Sequence, residues 1–375
     1  MSHQTLPDLT LLDLLGRNWQ LPSPITGLRF NGDGTILAII CLEGAIALAR
    51  IADSEPPESR LRVSIDVGQA TIHPRRDKPA PLITTAGAPH RAAALASYMG
   101  SDFLLGTEEG DVIRLTHAGA IAETIMKTTN PVVSVDHCMR TGMTAAVDRD
   151  HVYLKRIGAD ALKHRNVENS RLKIVSLSKE GNWIALAAAD RLSMSRLDDP
   201  VTSRREFFLP SVPASVQWSD DDSWLACGLQ SGGFCLVDVA EDRSSIVTDF
   251  PGPVSTVAWS TSANALVASG AFRIAAWSMA SPPLDGNTSG ALATGRAGFV
   301  VVEAVAAHPT NNLVAAGYAN GQIVVSRIGA PDQLLVRPSG AAVTALTWSA
   351  DGKHLAAGDA DGNAAIVTFP VQLFK

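Results

Sequence analysis

The sequence predicts an all-β fold in which one repeated sheet unit closes into a ring, a single β-propeller most consistent with eight four-stranded blades. The first observation is a duplication: VEAVAAHPTNNLVAAGYANGQIVVSRI (302–328) aligns without a gap with VTALTWSADGKHLAAGDADGNAAIVTF (343–369). Each copy has three runs of alternating apolar residues, and the later two are separated by Asn-Gly (320–321) or Asp-Gly (361–362). This pattern predicts three antiparallel strands joined by tight hairpins.

The second observation is a spacing that continues along the chain. Leu346 is the first residue of the LTW motif in the second copy. Apolar residues at the equivalent position of each unit recur at intervals of 66, 41, 40, 41, 41, 48 and 41 residues. A period near 41 built from short strands is typical of a propeller with four strands per blade. Seven blades are the alternative if the weak second or third unit is an irregular extension. The marked positions are Leu28, Ala94, Val135, Val175, Val216, Val257, Val305 and Leu346.

Extended segments such as AIAETIMK and QLLVRPS follow the three-strand units and predict the outer, fourth strands. The last unit lacks such a segment, because the chain ends at Lys375 soon after its third strand. GRNWQLPS (16–23) precedes the first unit as QLLVRPS precedes the eighth. We therefore expect it to pair with the last blade and close the ring, which removes an exposed sheet edge. Trp218, Trp259 and Trp348 are predicted to wedge between adjacent blades.

Composition and length favour one domain spanning residues 1–375. With 46% hydrophobic and 18% charged residues, the chain can bury a large core. Two connections exceed the repeat length: 52–90, with a predicted strand RLRVSIDV (60–67), and 280–298, rich in Pro, Gly, Ser and Thr. Insertions on a rigid scaffold often carry binding. A plain solvent loop is an equal alternative for the first insertion and the preferred interpretation of the second.

Charge and cysteine content restrict the function classes. The net charge of −6 gives no diffuse positive field for a phosphate backbone, so no nucleic-acid partner is expected. The N-terminus lacks a basic region before its Leu-rich run, and no apolar run is long enough to span a bilayer, which predicts a cytoplasmic protein without a membrane partner. The cysteines have no metal-ligand spacing and are interpreted as buried thiols: Cys41, Cys138, Cys227 and Cys235.

WSADGKHLAAGDADG (348–362) resembles the repeat of the WD-repeat β-propeller family, W-S-x-D-G-x-x-L-A-x-G-x-x-D-G, and weaker units extend the resemblance over most of the chain. The chain has no Trp-Asp pair and no Gly-His dipeptide before a first strand, and Trp277 alone matches the family Trp. Residues 252–370 are similar to a group of proteobacterial WD-repeat proteins associated with zinc-limitation gene clusters that contain a metallochaperone-type GTPase. The resemblance implies a non-catalytic protein interaction platform, a bacterial zinc-homeostasis context and a GTPase partner.

No catalytic or cofactor motif is found in the sequence. The histidines include no helical i, i+4 pair and no Cys/His cluster, and His308 before Pro309 is interpreted as a structural turn residue. His137 and Cys138 are adjacent, so they point to opposite faces of a strand. We therefore expect no catalytic residue, no bound metal and no cofactor. The alternative is an enzyme or metal-binding propeller whose site converges from several blades at the mouth of the central channel.

The predicted interaction surface is the ring face that carries the second hairpin turn of each blade. In a blade of four antiparallel strands, this turn lies at the same end as the connection that enters the first strand. Arg149, Arg191 and Arg273 are the expected anchors, because guanidinium groups are enriched at binding hot spots. The predicted protein-binding residues are Glu43, Glu108, Glu109, Arg149, Asp150, Arg191, Gln230, Arg273, Asn320 and Asp361.

Overall fold

The ring is closed and has eight blades in the computed structural model, which describes residues 9–63, 70–85, 91–159, 163–167, 171–370 and 373. Each blade is an antiparallel sheet whose first strand lies innermost. The first strands contact one another in blade order, and the first strand of blade 8 contacts that of blade 1. The predicted eight-bladed propeller is therefore confirmed, and the seven-blade alternative is wrong.

The strands of blades 1 to 4 follow the predicted units. Blade 1 contains Ile25–Phe30, Ile36–Cys41, Ile46–Arg50 and Ile83–Thr84. Blade 2 contains Ala92–Tyr98, Asp102–Thr107, Asp111–Leu115 and Ile121–Lys127. Blade 3 contains Ser134–Cys138, Met143–Val147, His151–Arg156 and Lys163–Asn166. Blade 4 contains Ile174–Leu177, Trp183–Ala187, Arg191–Arg196 and Arg205–Phe208.

Blades 5 to 8 complete the ring. Blade 5 contains Pro213–Trp218, Trp224–Leu229, Phe234–Asp238 and Arg243–Val247. Blade 6 contains Val257–Ser260, Ala265–Ala268 and Ala275–Ser278. Blade 7 contains Val302–Ala307, Leu313–Tyr318, Ile323–Arg327 and Gln333–Arg337. Blade 8 contains Val343–Trp348, His354–Asp359 and Asn363–Thr368, with Gly16–Gln20 as its fourth strand.

The N-terminal strand closes the ring as predicted. Gly16–Gln20 runs antiparallel to the third strand of blade 8, with Gly16 opposite Val367 and Gln20 opposite Asn363. A short helix, Leu11–Leu15, precedes it. Thr10 caps this helix by accepting the backbone N–H of Asp13, whose carboxylate accepts the N–H of Thr10 in return. The strand thus gives the last blade a covered edge.

The two insertions account for the irregular blades. In the first, the predicted strand 60–67 is confirmed for Leu61–Val63, which pairs with Ala70–Ile72, whereas Arg60 ends a short helix, Pro57–Arg60, and residues 64–67 lie outside the described residues. In the second, the outer edge of blade 6 is covered by isolated bridges from Thr294 and Ala291 instead of a continuous fourth strand. Among the described residues, no helix is both long and apolar enough to cross a membrane.

Tryptophan side chains join neighbouring blades. The indole N–H groups of Trp218, Trp259 and Trp348 donate to the first strand of the preceding blade, with nitrogen–oxygen distances of 3.3, 3.1 and 3.1 Å. The predicted wedges are therefore confirmed. One marked position was wrong by a residue: Leu95, not Ala94, takes the place of Leu28, since each leucine stands two residues after the bulge that both first strands share.

All four cysteines are buried and free. Cys227 and Cys235 are directly paired across the hairpin between the second and third strands of blade 5. Burial raises the pKa of both thiols, that of Cys235 to about 12. The thiolate forms are therefore disfavoured, in agreement with the interpretation of these residues as small core hydrophobes.

Candidate interaction face

One face of the ring carries eight turns between second and third strands together with the connections between blades. Because neighbouring strands are antiparallel, these two sets of loops lie at the same end of every blade. We call it the upper face. Its turns are residues 42–45, 108–110, 148–150, 188–190, 230–233, 269–274, 319–322 and 360–362. The opposite, lower face carries the remaining hairpin turns and the first insertion.

The structure places all the predicted binding residues on the upper face. Arg191 is the first residue of a third strand, and the others lie in the turns themselves. Every blade contributes one or two of them, so they form a ring rather than one cluster. Their role in binding stays a prediction. The exposed members are Glu43, Glu108, Glu109, Arg149, Gln230, Asn320 and Asp361, and the half-buried members are Asp150, Arg191 and Arg273.

The three predicted anchor arginines differ in exposure and in the ion pairs and hydrogen bonds that they form. The Arg191 guanidinium lies 3.3 Å from a carboxylate oxygen of Asp190 and 3.6 Å from one of Glu206. Arg273 is half-buried, and its Nη2 donates to a backbone carbonyl oxygen 3.2 Å away. Arg149 is exposed at the tip of its turn. Of the three, Arg149 has the guanidinium most available to a partner.

A buried carboxylate holds the turn that presents Arg149. Asp148 is 0% exposed and accepts the backbone N–H groups of Asp150 and His151 at 2.9 and 2.7 Å, and the hydroxyl of Tyr153 at 3.1 Å. Burial alone would raise the pKa of Asp148. The N–H groups that point at the carboxylate outweigh it and hold the pKa below its ordinary value. The turn is therefore fixed by an ionised group.

A second carboxylate fixes the turn of blade 8 and joins it to blade 7. Asp359 is buried and accepts the backbone N–H groups of Asp361 and Asn363 at 3.1 and 2.9 Å. Its other oxygen accepts a hydrogen bond from Nη1 of Arg337 at 3.0 Å. The Nε–H of Arg337 donates a second hydrogen bond to the carbonyl oxygen of Gly321 at 2.6 Å. One guanidinium thus fastens the turns that present Asn320-Gly321 and Asp361.

Two phenylalanines on this face were missed by reasoning from the sequence. Phe299 is 98% exposed and Phe272 is 44% exposed, and the backbone N–H of Gly298 donates to the carbonyl oxygen of Phe272 at 3.1 Å. Phe272 lies in the turn of blade 6 and Phe299 in the connection that enters blade 7. The sequence did contain a signal of exposed aromatic residues. Both phenylalanines lie in Gly-rich stretches, SGAFRI and GRAGFVV, which are typical of loops, where polar residues are usual.

The same face contains an apolar cavity of about 380 Å³ between blades 1 and 2. Its lining includes Leu21 of the closing segment, Ala45 and Ile46 of the blade 1 turn, and Leu105 and Ile113 of blade 2. The cavity is bordered by the two-residue fourth strand of blade 1, which covers little of the neighbouring blade. The residues that follow this strand, 86–90, lie outside the described residues.

Groups of His, Cys, Asp and Glu side chains are the usual ligands of a protein-bound metal. Among the described residues, no three or more His, Cys, Asp or Glu side chains lie close enough to hold a metal ion together. The Nε2 atom of His308 lies 3.0 Å from the carbonyl oxygen of Gly352, while Nδ1 accepts the N–H groups of Thr310 and Asn311 at 3.2 and 3.0 Å. These contacts fix a neutral tautomer in the turn, as the structural interpretation of His308 predicted.

Similarity to known proteins agrees with the geometry. Residues 305–370 match the family profile of the anaphase-promoting complex subunit 4 WD40 domain. The fold is similar to the C-terminal WD40 domain of Sif2, with a TM-score of 0.67 at 14% identity, covering 94% of this chain and 99% of that one. The fold is that of a WD40 β-propeller. The structure of U3-55K is also similar, with a TM-score of 0.58 at 13% identity and coverage of 95% and 98%.

No curated protein matches the sequence significantly. At these identities the solved structures show the fold alone. The similarity to the proteobacterial zinc-limitation group has no counterpart in these matches and stays a prediction.

Proposed function

We propose that this WD40 propeller is a non-catalytic platform that binds a protein partner through its upper face. The observation that carries the proposal is the way the turns are held. Buried carboxylates at Asp148 and Asp359 fix the backbone of the turns, while the side chains at their tips point into solvent. The backbone of these turns is therefore ordered before binding, so association with a partner costs little backbone conformational entropy at the turns.

Charge reversal on the two faces tests the proposal. The protein is used to capture partners from the cells that produce it, and each recovered protein is quantified by mass spectrometry. We expect Arg149→Glu to lower recovery of the partner by about tenfold, because arginine is a residue type enriched at binding hot spots and Arg149 is exposed. Arg156→Glu is the matched control, since Arg156 is an exposed arginine at the lower end of the same blade.

The two variants must give different results if the upper face is the interface. Equal recovery with Arg149→Glu and wild type, repeated for Arg191→Glu and Arg273→Glu, would place the interface elsewhere. Melting curves of all four variants check that each protein is folded before recovery is compared.

The cellular context forms a finer part of the proposal. We infer a cytoplasmic protein in bacterial zinc homeostasis, with a metallochaperone-type GTPase as the partner and without bound metal of its own. The support is the resemblance of residues 252–370 to the zinc-limitation group. Elemental analysis of metal-replete protein combined with capture from zinc-limited cells tests it. About one tightly held zinc per chain would contradict the metal-free platform, and recovery without a GTPase would contradict the assigned partner.

A further inference from the structure

The upper face carries an aromatic feature that folding does not require. Burial of a phenylalanine side chain stabilises a fold, yet Phe299 is 98% exposed and Phe272 is 44% exposed. The two lie in loops that a hydrogen bond joins, from the N–H of Gly298 to the carbonyl oxygen of Phe272. We call Phe272, Arg273, Arg296 and Phe299 the aromatic patch.

The loops that bear the patch are fixed to the interior. The N–H of Val302 donates to Ala271 at 2.9 Å, and the N–H of Gly270 donates to Val302 at 2.7 Å. Val302 itself is fully buried. At Gly270, φ is +87° and a Cβ atom would meet the carbonyl oxygen of Pro253 at 2.7 Å, so this close crossing requires glycine. The phenylalanines are therefore held out by a fixed backbone.

Two cations accompany the phenylalanines. Arg273 follows Phe272 in the chain, and its guanidinium donates to the carbonyl oxygen of Gly295, next to Arg296. Among the described residues, neither Arg273 nor Arg296 forms an ion pair with a carboxylate. The patch is thus positive and aromatic, although the whole chain has a net charge of −6. Aromatic and arginine side chains together are the composition of binding hot spots.

We propose that the aromatic patch binds a protein segment in which an apolar side chain is flanked by aspartate or glutamate. The apolar side chain covers Phe299 and Phe272, and the carboxylates pair with the two guanidinium groups. A two-fold contact centred on the patch would bring arginine against arginine, so a second copy of this chain is disfavoured as the occupant in that arrangement. This inference rests on the proposed platform function and assigns its partner a chemistry.

Peptide display tests the assignment without knowledge of the partner. A phage library of random peptides of about 12 residues is selected on the full-length protein, and the enriched sequences are synthesised with a fluorescein label. Fluorescence anisotropy then gives their affinity for wild type and variants. We expect enriched peptides to share an apolar residue between acidic ones. Phe299→Ala should weaken binding by about tenfold or more, and Arg296→Glu by about fivefold or more.

Phe208→Ala is the matched control, because Phe208 is 77% exposed but lies on the outer strand of blade 4. It should leave the affinity unchanged. Enrichment of no peptide, or of peptides that bind Phe299→Ala as well as wild type, would overturn the inference. Peptides that depend on Arg149 but not on Phe299 would overturn it while leaving the upper-face platform standing. A labelled single-stranded oligonucleotide that binds more tightly than the peptides and depends on Phe299 would reassign the patch to nucleic acid.

Discussion

Arg17 connects the closing strand to the first insertion, and its substitution by methionine tests how the ring is locked. The side chain is 2% exposed. Nη1 donates to the carbonyl oxygens of Arg50 and Ala52 at 2.8 and 3.2 Å, and Nη2 donates to that of Ile51 at 2.9 Å. One guanidinium therefore ties the fourth strand of blade 8 to the chain that leaves the third strand of blade 1.

The expected change in the free energy of unfolding follows from the interactions that Arg17→Met removes. The carboxylate of Asp53 lies 3.8 Å from Nε of Arg17 but 2.7 Å from Nη1 of Arg75, so it keeps its closer partner. The main loss is three hydrogen bonds from a charged donor, offset by the desolvation that burial imposes on the guanidinium. We expect the free energy of unfolding to fall by about 2–4 kcal/mol. For a chain of this length, that corresponds to a melting temperature lower by about 3–5 °C.

Differential scanning calorimetry of Arg17→Met and Arg50→Met measures the effect. Arg50 is the last residue of the third strand of blade 1, and its carbonyl oxygen accepts a hydrogen bond from Arg17, but its side chain is exposed. We expect the control to melt within about 1 °C of wild type, since surface substitutions rarely cost more than about 0.5 kcal/mol. Equal melting temperatures for the two variants would refute the conclusion that Arg17 locks the ring.

Three further predictions concern the ring and its turns. Deletion of residues 1–23 removes the closing strand and should cost more than about 5 kcal/mol; a truncated protein that melts like wild type would disprove the closure. Burial lowers the pKa of His308, despite its contact with the Gly352 carbonyl, so the neutral ring stabilises the fold above about pH 6.5 and this contribution is lost at lower pH. Urea titrations from pH 7 to 5 should therefore show a shallower loss of stability in His308→Gln. Asp359→Asn should cost about 2–4 kcal/mol by thermal melting, against less than about 0.5 kcal/mol for the exposed Asp361→Asn.

The repeats could be predicted because they are local. Alternation within each run assigns strands, and turn pairs such as Asn320-Gly321 assign hairpins, since both depend on neighbours in the chain. The closing strand was predictable for a related reason. Its segment directly precedes the first strand of blade 1, just as the fourth strand of one blade precedes the first strand of the next. The positions of the ten predicted binding residues followed from the same topology.

Features that depend on distant contacts could not be predicted in this way. The hairpin of the first insertion is tied to the ring through Arg17, Asp53 and Arg75, which are far apart in sequence and meet only in the folded chain. Blade 6 has no continuous fourth strand among the described residues: Thr294 and Ala291 make single bridges within an irregular segment. The repeat period of the sequence does not reveal such an irregular edge. Exposure of Phe299 likewise depends on how two loops cross, and residue type alone argues for burial.

The departures from the repeat differ in whether the fold needs them. The irregular edge of blade 6 is supported by contacts: the hydroxyl of Thr294 accepts the N–H of Gly329 in blade 7 at 2.9 Å, and Arg273 holds Gly295 beside it. Phe299, at 98% exposed, contributes almost no buried surface to this arrangement. Its substitution by alanine should therefore leave the melting temperature unchanged. Folding and binding can be separated at this residue, so a loss of affinity there would report on the patch itself and not on the stability of the ring.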